Sequence, residues 1–450
     1  MEYKHATDVF INELTLVTKT GETDLRFVYA ELNIFDSIFK PAISGNITIV
    51  DAVGLNQQLI LNGTELLLLN IGKTEDDVLF KKAFRVYKQT DRKPRNDNSE
   101  VFVLHFVSEE AIFSEQIGIN QFYRGSYSEI ASSILIDYLE VPATKILHNL
   151  ESSQGIKDLF IPDSKPLQAV NWCAKRAVNS EFSPSFLFFE NLEGFNFITL
   201  ASLLSREPIF SVTFDHKNAV DDPASNITGA EKYKVDVQFN ILNSIKNGVY
   251  AGKFKGFDFI NRVVASKEIS YADHLDKGFM KDGEFSGNKN PNFAGIKNRN
   301  NKDSTEMYGT RTVLSYMTPS FKHSKYIQEH SPSILNTVEN TEDYIFQRNA
   351  IFNNLINQQM SIALAGRFDT FSGVNLNINA LKKGVKVEGE DDDSLDESLK
   401  GKKLVTACRH MIRDSQHHMI LELSSGTTDL NLPVSTDFQE PKRVINYDTA

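Results

Sequence analysis

Short runs of strand-forming residues, cut by turn clusters, dominate the N-terminal quarter of the chain. They leave it few folds other than an antiparallel β-sandwich or barrel. In Ile47-Thr48-Ile49-Val50 and Val101-Phe102-Val103-Leu104-His105-Phe106-Val107, β-branched and aromatic residues dominate, as they do in half-buried strands. Lys19-Thr20-Gly21-Glu22, Leu61-Asn62-Gly63-Thr64 and Arg92-Lys93-Pro94-Arg95-Asn96-Asp97-Asn98 supply the turns between such runs, because Gly, Asn, Asp and Pro take up turn geometry at low cost. The 32 phenylalanines, against one tryptophan, add to the β leaning. Residues 1–110 are expected to form one β domain.

The pattern then changes. Ser126-Tyr127-Ser128-Glu129 has the spacing of a capping box, and Ile130, Ile134 and Tyr138 follow at a spacing that makes one buried helical face. A second helix is predicted after Ile161-Pro162-Asp163. Ser164 is its expected cap, Pro166 is tolerated in its first turn, and Leu167, Val170, Ala174 and Ala177 form its stripe. Trp172 and Cys173 lie close to that stripe. A hairpin follows, with Ser185-Phe186-Leu187-Phe188-Phe189 turning through Asn191-Leu192-Glu193-Gly194 into Phe195-Asn196-Phe197-Ile198. Residues 111–230 are therefore expected to be a mixed α+β unit.

Strands return after residue 230, where Val235, Val237 and Phe239 alternate with polar residues. Asn247-Gly248, between Ile245 and Val249-Tyr250, reads as a hairpin turn. Residues 274–338 are poor in apolar clusters and read as a long irregular insertion, a feature that often serves as an interaction arm. A helix is expected over 341–359, opened by acids at Glu342 and Asp343 that suit a helix N-terminus. Val374-Asn375-Leu376-Asn377-Ile378-Asn379 alternates strictly and predicts a strand with one wet face. A last hairpin should run from 404–412 through Asp414-Ser415 to 418–423. The expected organisation is thus mainly β with α+β insertions. Residues 231–273 and 360–428 make a second β domain, 274–359 the insertion with its helix, and 429–450 a polar tail.

At 450 residues the chain is too long for one ordinary core. The net charge of −11, with no long basic run, argues against sequence-specific duplex binding. Two distant cysteines, Cys173 and Cys408, are no disulfide framework and fit assembly in a reducing compartment. The polar first ten residues carry no signal-peptide core, and no apolar run is long enough to span a membrane. The sequons at Asn46, Asn62 and Asn226 read as chance in that setting.

Catalytic signatures are absent from the sequence. It holds no GxSxG, HExxH, phosphate-binding loop or dinucleotide fingerprint. Two cysteines exclude a four-cysteine zinc site. The best metal candidate is Cys408, His410, His417 and His418: the first two share a strand face and the hairpin could bring a third opposite. Ordinary half-buried strand residues are the blander reading and the one favoured by sequence alone. Glu388-Gly389-Glu390-Asp391-Asp392-Asp393 lacks the order of a calcium loop and reads as a solvated acidic segment. Lys81-Lys82 and Arg92-Lys93-Pro94-Arg95 read as strand-edge and loop charges that discourage aggregation. No catalytic residue, cofactor or metal is assigned, and the chain is expected not to be an enzyme.

Three segments carry a family resemblance. The first runs from Leu25-Arg26-Phe27-Val28-Tyr29 through Ser44-Gly45-Asn46-Ile47-Thr48 to Leu55, followed by Asn62-Gly63-Thr64-Glu65. The second is Phe160-Ile161-Pro162-Asp163-Ser164-Lys165-Pro166-Leu167, continuing to Ala177. The third is Gly366-Arg367-Phe368-Asp369 with Gly373-Val374-Asn375-Leu376 and the strand Leu404-Val405-Thr406-Ala407-Cys408-Arg409-His410. Their order and spacing, over about residues 10–428, resemble the central baseplate hub proteins of contractile-tailed (myovirus) bacteriophages and the N-terminal hub part of type VI secretion VgrG spike proteins. The resemblance implies two tail-tube-like antiparallel β-barrel domains per chain and a homotrimer. That trimer would be a pseudo-sixfold ring joining a sixfold tail tube to a trimeric spike and forming part of the DNA ejection channel. It also implies partners: a separate spike protein, tube or tube-initiator proteins, the tape-measure C-terminus and baseplate wedge proteins. The location would be the virion tail, assembled in the bacterial host cytoplasm. A hub of a phage-like injection particle is the nearest alternative. A cell-wall hydrolase or a host-surface binding module is the more distant one.

Overall fold

The computed structural model describes residues 7–214 with a few short breaks, 229–258 in part, 263–270, 311–316, parts of 345–357, 358–381, 395–396 and 399–425. The acidic run 388–393, the tail 429–450 and most of the expected insertion lie outside the described residues.

Strand-forming alternation is realised through the first quarter. β1 (Phe10–Thr18), β2 (Gly21–Asp24), β3 (Tyr29–Ser37), β4 (Ser44–Asp51), β5 (Leu66–Gly72), β6 (Phe80–Asn96) and β7 (Ser99–Ser108) form one antiparallel array, with the short helix α1 (Leu55–Gln58) between β4 and β5. Every second residue of β4 and β7 is buried, as the pleat requires. The inward side chains Leu14, Leu32, Ile47, Leu69, Phe84 and Phe106 meet in a single core, so this array curls tightly.

The middle segment holds α2 (Glu109–Gln116), β8 (Ile119–Gly125), α3 (Tyr127–Leu139), β9 (Lys157–Ser164), α4 (Pro166–Arg176), β10 (Phe186–Asn191), β11 (Gly194–Thr199) and α5 (Leu200–Ser205). Both arms of the expected capping box form at α3: Ser126 Oγ accepts from the Glu129 amide, and the Glu129 carboxylate accepts from the Ser126 amide. Ser164 is not the cap of α4. Lys165 takes that position, and Ser114 Oγ, from α2, accepts the Leu167 amide instead at 3.0 Å. A tertiary partner has replaced a local one.

After residue 205 come β12 (Pro208–Phe214), β13 (Lys232–Val237), α6 (Ile241–Lys246), β14 (Ala251–Asp258), β15 (Val263–Ser270), β16 (Arg311–Tyr316), β17 (Gln358–Ala365), β18 (Asn375–Ala380), β19 (Gly401–Arg413) and β20 (Gln416–Ser425). The hairpin expected at Asn247 is instead a helix end, with the Asn247 amide donating to the Asn243 carbonyl. Asn-Gly serves a helix C-terminus as well as a tight hairpin. The expected insertion contains a regular strand, β16, which pairs parallel to β14 in a separate three-stranded sheet with β15. Helical residues fall between 345 and 355, and β17 begins at Gln358, inside the stretch expected to be helical to 359. β18 alternates as expected from Leu376 onward, with Leu376, Ile378 and Ala380 buried and Asn377 and Asn379 half-buried; Asn375 is the exception. The strand is paired on both sides, and Asn375 is buried so that its Nδ2 donates to the Leu203 and Arg206 carbonyls at the end of α5.

The two β regions are one sheet. Its order is β13-β17-β20-β19-β3-β4-β7-β6-β5-β1-β2, thirteen strands once β12 and β18 are added. Two tail-tube-like β-barrel domains were the expectation, but no closed barrel forms among the described residues. A strand has two edges, and both of those of β3 are occupied, by β4 and by β19. β3 therefore cannot also close onto β1. The seam between β3 and β19 joins residues some 370 positions apart, with Ala407 opposite Ser37 and Ile412 opposite Leu32.

Gly45 sits at the heart of this arrangement. A Cβ there would lie 2.2 Å from Phe106 Cζ and 2.4 Å from the Asn33 carbonyl oxygen. Gly45→Ala is expected to cost about 2 kcal/mol or more, since neither a packed ring nor a paired backbone can yield cheaply. A fall in the thermal unfolding midpoint checks this, and an unchanged midpoint would show that the ring moves aside freely.

Candidate functional site

The most concentrated polar chemistry in the described structure lies at the β3–β19 seam. Asp36 stands directly opposite Cys408, and Ile34 opposite His410. Residues 408, 410 and 412 point inward, as period-two alternation dictates. The tight turn Asp414-Ser415, with both residues in the left-handed region (φ 52 and 60), then fixes the register that sets His417 opposite Ile412. That register decides between the two neighbouring histidines: His417 is buried on the inner face, and His418 points the other way and is half-buried. Cys408, His410 and His417 are fully buried rather than half-buried, and Asp36 joins them.

The geometry is close. His410 Nε2 lies 3.2 Å from Cys408 Sγ, and His410 Nδ1 lies 3.0 Å from His417 Nε2. Asp36 Oδ2 accepts from the Ser372 amide at 2.8 Å. Phe368 lies against both imidazoles, at ring-centroid distances of 5.5 Å and 4.4 Å, and itself stacks on Phe80 of the first half. Gly366 makes room for the His417 ring: a Cβ at 366 would come within 2.0 Å of it. Thus the Gly366-Arg367-Phe368 segment is shaped around the histidine pair.

Burial governs the electrostatics. It raises the Asp36 carboxyl to about 7, lowers His410 to about 4, pushes His417 well below its ordinary range and lifts the Cys408 thiol well above its own. Every member is driven toward its neutral form, as desolvation requires of an isolated group. All four side chains are withdrawn from solvent. What the cluster can do chemically is hold a proton chain or an ion.

A second buried polar point links the middle segment to the first half. Glu190, from β10, accepts the Ile43 amide at 2.9 Å and Ser108 Oγ at 2.5 Å, and pairs with Lys82 of β6. Burial raises the Glu190 carboxyl, with Lys82 opposing. Lys82 is therefore no solvated strand-edge charge: it lies opposite Leu69 of β5, and its ammonium is committed to Glu190. Residues 88–96 of β6 do run past the end of β5 and form a true edge, where Arg92 pairs with Glu100 and Lys93 and Arg95 are exposed.

Sequence reasoning found Cys408, His410 and His417 through their spacing. It missed Asp36, which lies some 370 residues from the other members, and Glu190. The latter had a readable signal: a lone acid closing the apolar run Phe186-Leu187-Phe188-Phe189, where an unpaired charge would be prohibitive. No described helix is long and apolar enough to cross a membrane.

No family model matches the sequence, and no curated protein matches it. Solved structures do. The tail protein from Neisseria meningitidis MC58 superposes with a TM-score of 0.52 at 10% identity, covering 94% of this chain and 99% of that one. The 43 kDa tail protein of prophage MuSo2 from Shewanella oneidensis gives 0.51 at 9% identity, covering 93% and 99%. A looser superposition, at 0.38 and 7% identity over 95% and 77%, is to the E. coli c3393 protein, a component of the type VI secretion system. Over nearly its whole length, the chain has the fold of the two tail proteins.

Proposed function

We propose that this chain is a structural baseplate component of a contractile phage tail or a related injection particle, and specifically its central hub. The observation that carries the reading is the end-to-end likeness of fold to two tail proteins whose own lengths are matched almost completely. Three copies would form the ring. Each contributes two curled β halves, so that six such halves surround a channel and present sixfold symmetry to a tube and threefold symmetry to a spike. In this reading, the edges left unpaired among the described residues, at β2 and β13, are where neighbouring copies or partners complete the sheet. The role is read as non-enzymatic, since the sequence carries no catalytic signature and the matched folds are those of tail proteins. The net charge of −11 suits a channel wall that does not retain passing DNA.

Native mass spectrometry of the purified chain tests this. A mass of three times 50.8 kDa, with a central hole in class-average images, is the expected result. A chain that stays monomeric alone and with its candidate spike, and that clears a peptidoglycan suspension or binds whole cells, would overturn the hub in favour of a hydrolase or an adhesin.

A further inference from the structure

We propose that Asp36, Cys408 and His410 bind a divalent transition-metal ion of the zinc class, stapling β3 to β19 across the seam of the sheet. The carboxylate oxygen, Sγ and imidazole nitrogen all lie within 4.8 Å of one another, with every residue buried. A tetrahedral ion bound through sulfur at about 2.3 Å, and through nitrogen and oxygen at about 2.1 Å, spaces its ligands about 3.4–3.6 Å apart. The 3.2 Å separation of Cys408 Sγ and His410 Nε2 is already close to that.

Three further observations point to a ligand here. Asp36 Oδ1 and Ser372 Oγ are buried and unpartnered among the described residues, and the Ser372 amide bonds the other oxygen of the same carboxylate. An ion would satisfy Oδ1, and Ser372 stands beside the carboxylate as a candidate fourth donor. Secondly, the neighbours of His410 allow the tautomer that ligation needs. The His410 Nδ1–H can donate to His417 Nε2 at 3.0 Å, which leaves the His410 Nε2 lone pair directed at the cluster. An imidazole so held by a second partner is the usual outer support of a metal ligand. Thirdly, charge balances. One thiolate and one carboxylate carry two negative charges, and a divalent ion cancels them inside a dry interior where an unbalanced charge is not tolerated. The soft thiolate beside imidazole selects zinc, or cobalt and iron in its place, over magnesium or calcium. Binding releases the thiol proton to solvent and changes no oxidation state. The inference stands apart from the hub reading, since it rests on the monomer alone.

The full chain, produced in zinc-supplemented and separately in cobalt-supplemented medium, supplies the test. About one metal per chain is expected after gel filtration, and the cobalt form should show a thiolate-to-metal charge-transfer band in the near ultraviolet. Cys408→Ser should abolish the band, and Asp36→Asn should lower metal occupancy about tenfold or more. Cys173→Ala and His418→Ala should leave both unchanged. If Cys408→Ser fails to fold, the wild-type cobalt spectrum together with the Cys173→Ala control still identifies the ligating thiol. Folded wild-type protein carrying less than about a tenth of a metal per chain from both media would overturn the proposal in favour of a proton-bearing cluster. So would full occupancy that survives Cys408→Ser.

Discussion

Replacing Glu190 by alanine is expected to destabilise the protein by about 3–5 kcal/mol, among the largest losses any single substitution should cause. Glu190 is 1% exposed and serves three separate strands of the first half at once. It neutralises Lys82 of β6, accepts the amide of Ile43 just before β4 and accepts the hydroxyl of Ser108 at the end of β7. The alanine variant strands the amide and the ammonium, while Ser108 Oγ can still turn to the Ile43 carbonyl at 3.3 Å. A buried amide left without its acceptor costs about 1–3 kcal/mol, and the ammonium loses its counter-charge. The Lys82 side chain keeps 21% of its exposure and can turn partly to water, so its share of the loss falls at the low end of the range for buried pairs. Glu190→Gln should cost less, because its carbonyl oxygen can still serve Ile43 or Ser108. Adding Lys82→Met to Glu190→Ala should recover part of the loss. Urea midpoints for the two single variants and the double variant give the coupling directly. Additivity, with no recovery in the double variant, would show that the pair is not energetically linked.

The same site shows what a sequence can and cannot disclose. Strand-forming alternation located β4 and β7, and apolar runs flanking a turn located the β10–β11 and β19–β20 hairpins, because each is built on local contacts in which the side-chain pattern and the fold agree. The capping box of α3 is legible for the same reason. Nothing local encodes the meeting of β3 and β19. Their residues share no turn and no periodic relation, and only the assembled sheet places Asp36 opposite Cys408. Consequently the metal-ligating types were visible where they cluster in sequence, at Cys408, His410 and His417, while their fourth neighbour was not. The choice of His417 over His418 depends on one residue of register, which a turn lacking glycine does not announce. Asn247 was misread because its turn chemistry serves two structures equally. Asn375 alone of its strand's polar face is a buried amide satisfying a helix end, a tertiary demand that alternation cannot distinguish from exposure.

The stability of the second half should rise as pH climbs from about 8 to 10.5, and Lys403 is the reason. Its side chain is almost fully buried at the start of β19, where Nζ donates to Gln358 Oε1 at 3.1 Å and to Ser425 Oγ at 3.0 Å. These are neutral oxygens, and burial holds the ammonium down at about 8, against an ordinary 10.5 in the unfolded chain. Below pH 8 both states are protonated and the native state bears the full cost of a buried charge. Between the two values the unfolded chain binds the extra proton, so raising the pH favours the fold. Above 10.5 neither state is protonated and the cost is gone. The span corresponds to roughly 3 kcal/mol. Tyrosines and thiols whose ionisation burial opposes, Tyr29 and Cys173 among them, act in the contrary direction at high pH. The measurement is therefore a difference: wild type against Lys403→Met, by urea unfolding across the alkaline range. At pH 7 the methionine variant should be the more stable, since a similar volume replaces a charge that has no counter-ion among the described residues. Its advantage should shrink by roughly 3 kcal/mol by pH 10.5. A constant difference across that range would mean that Lys403 keeps an ordinary affinity for its proton, and that a carboxylate from a neighbouring copy or from the C-terminal segment compensates it.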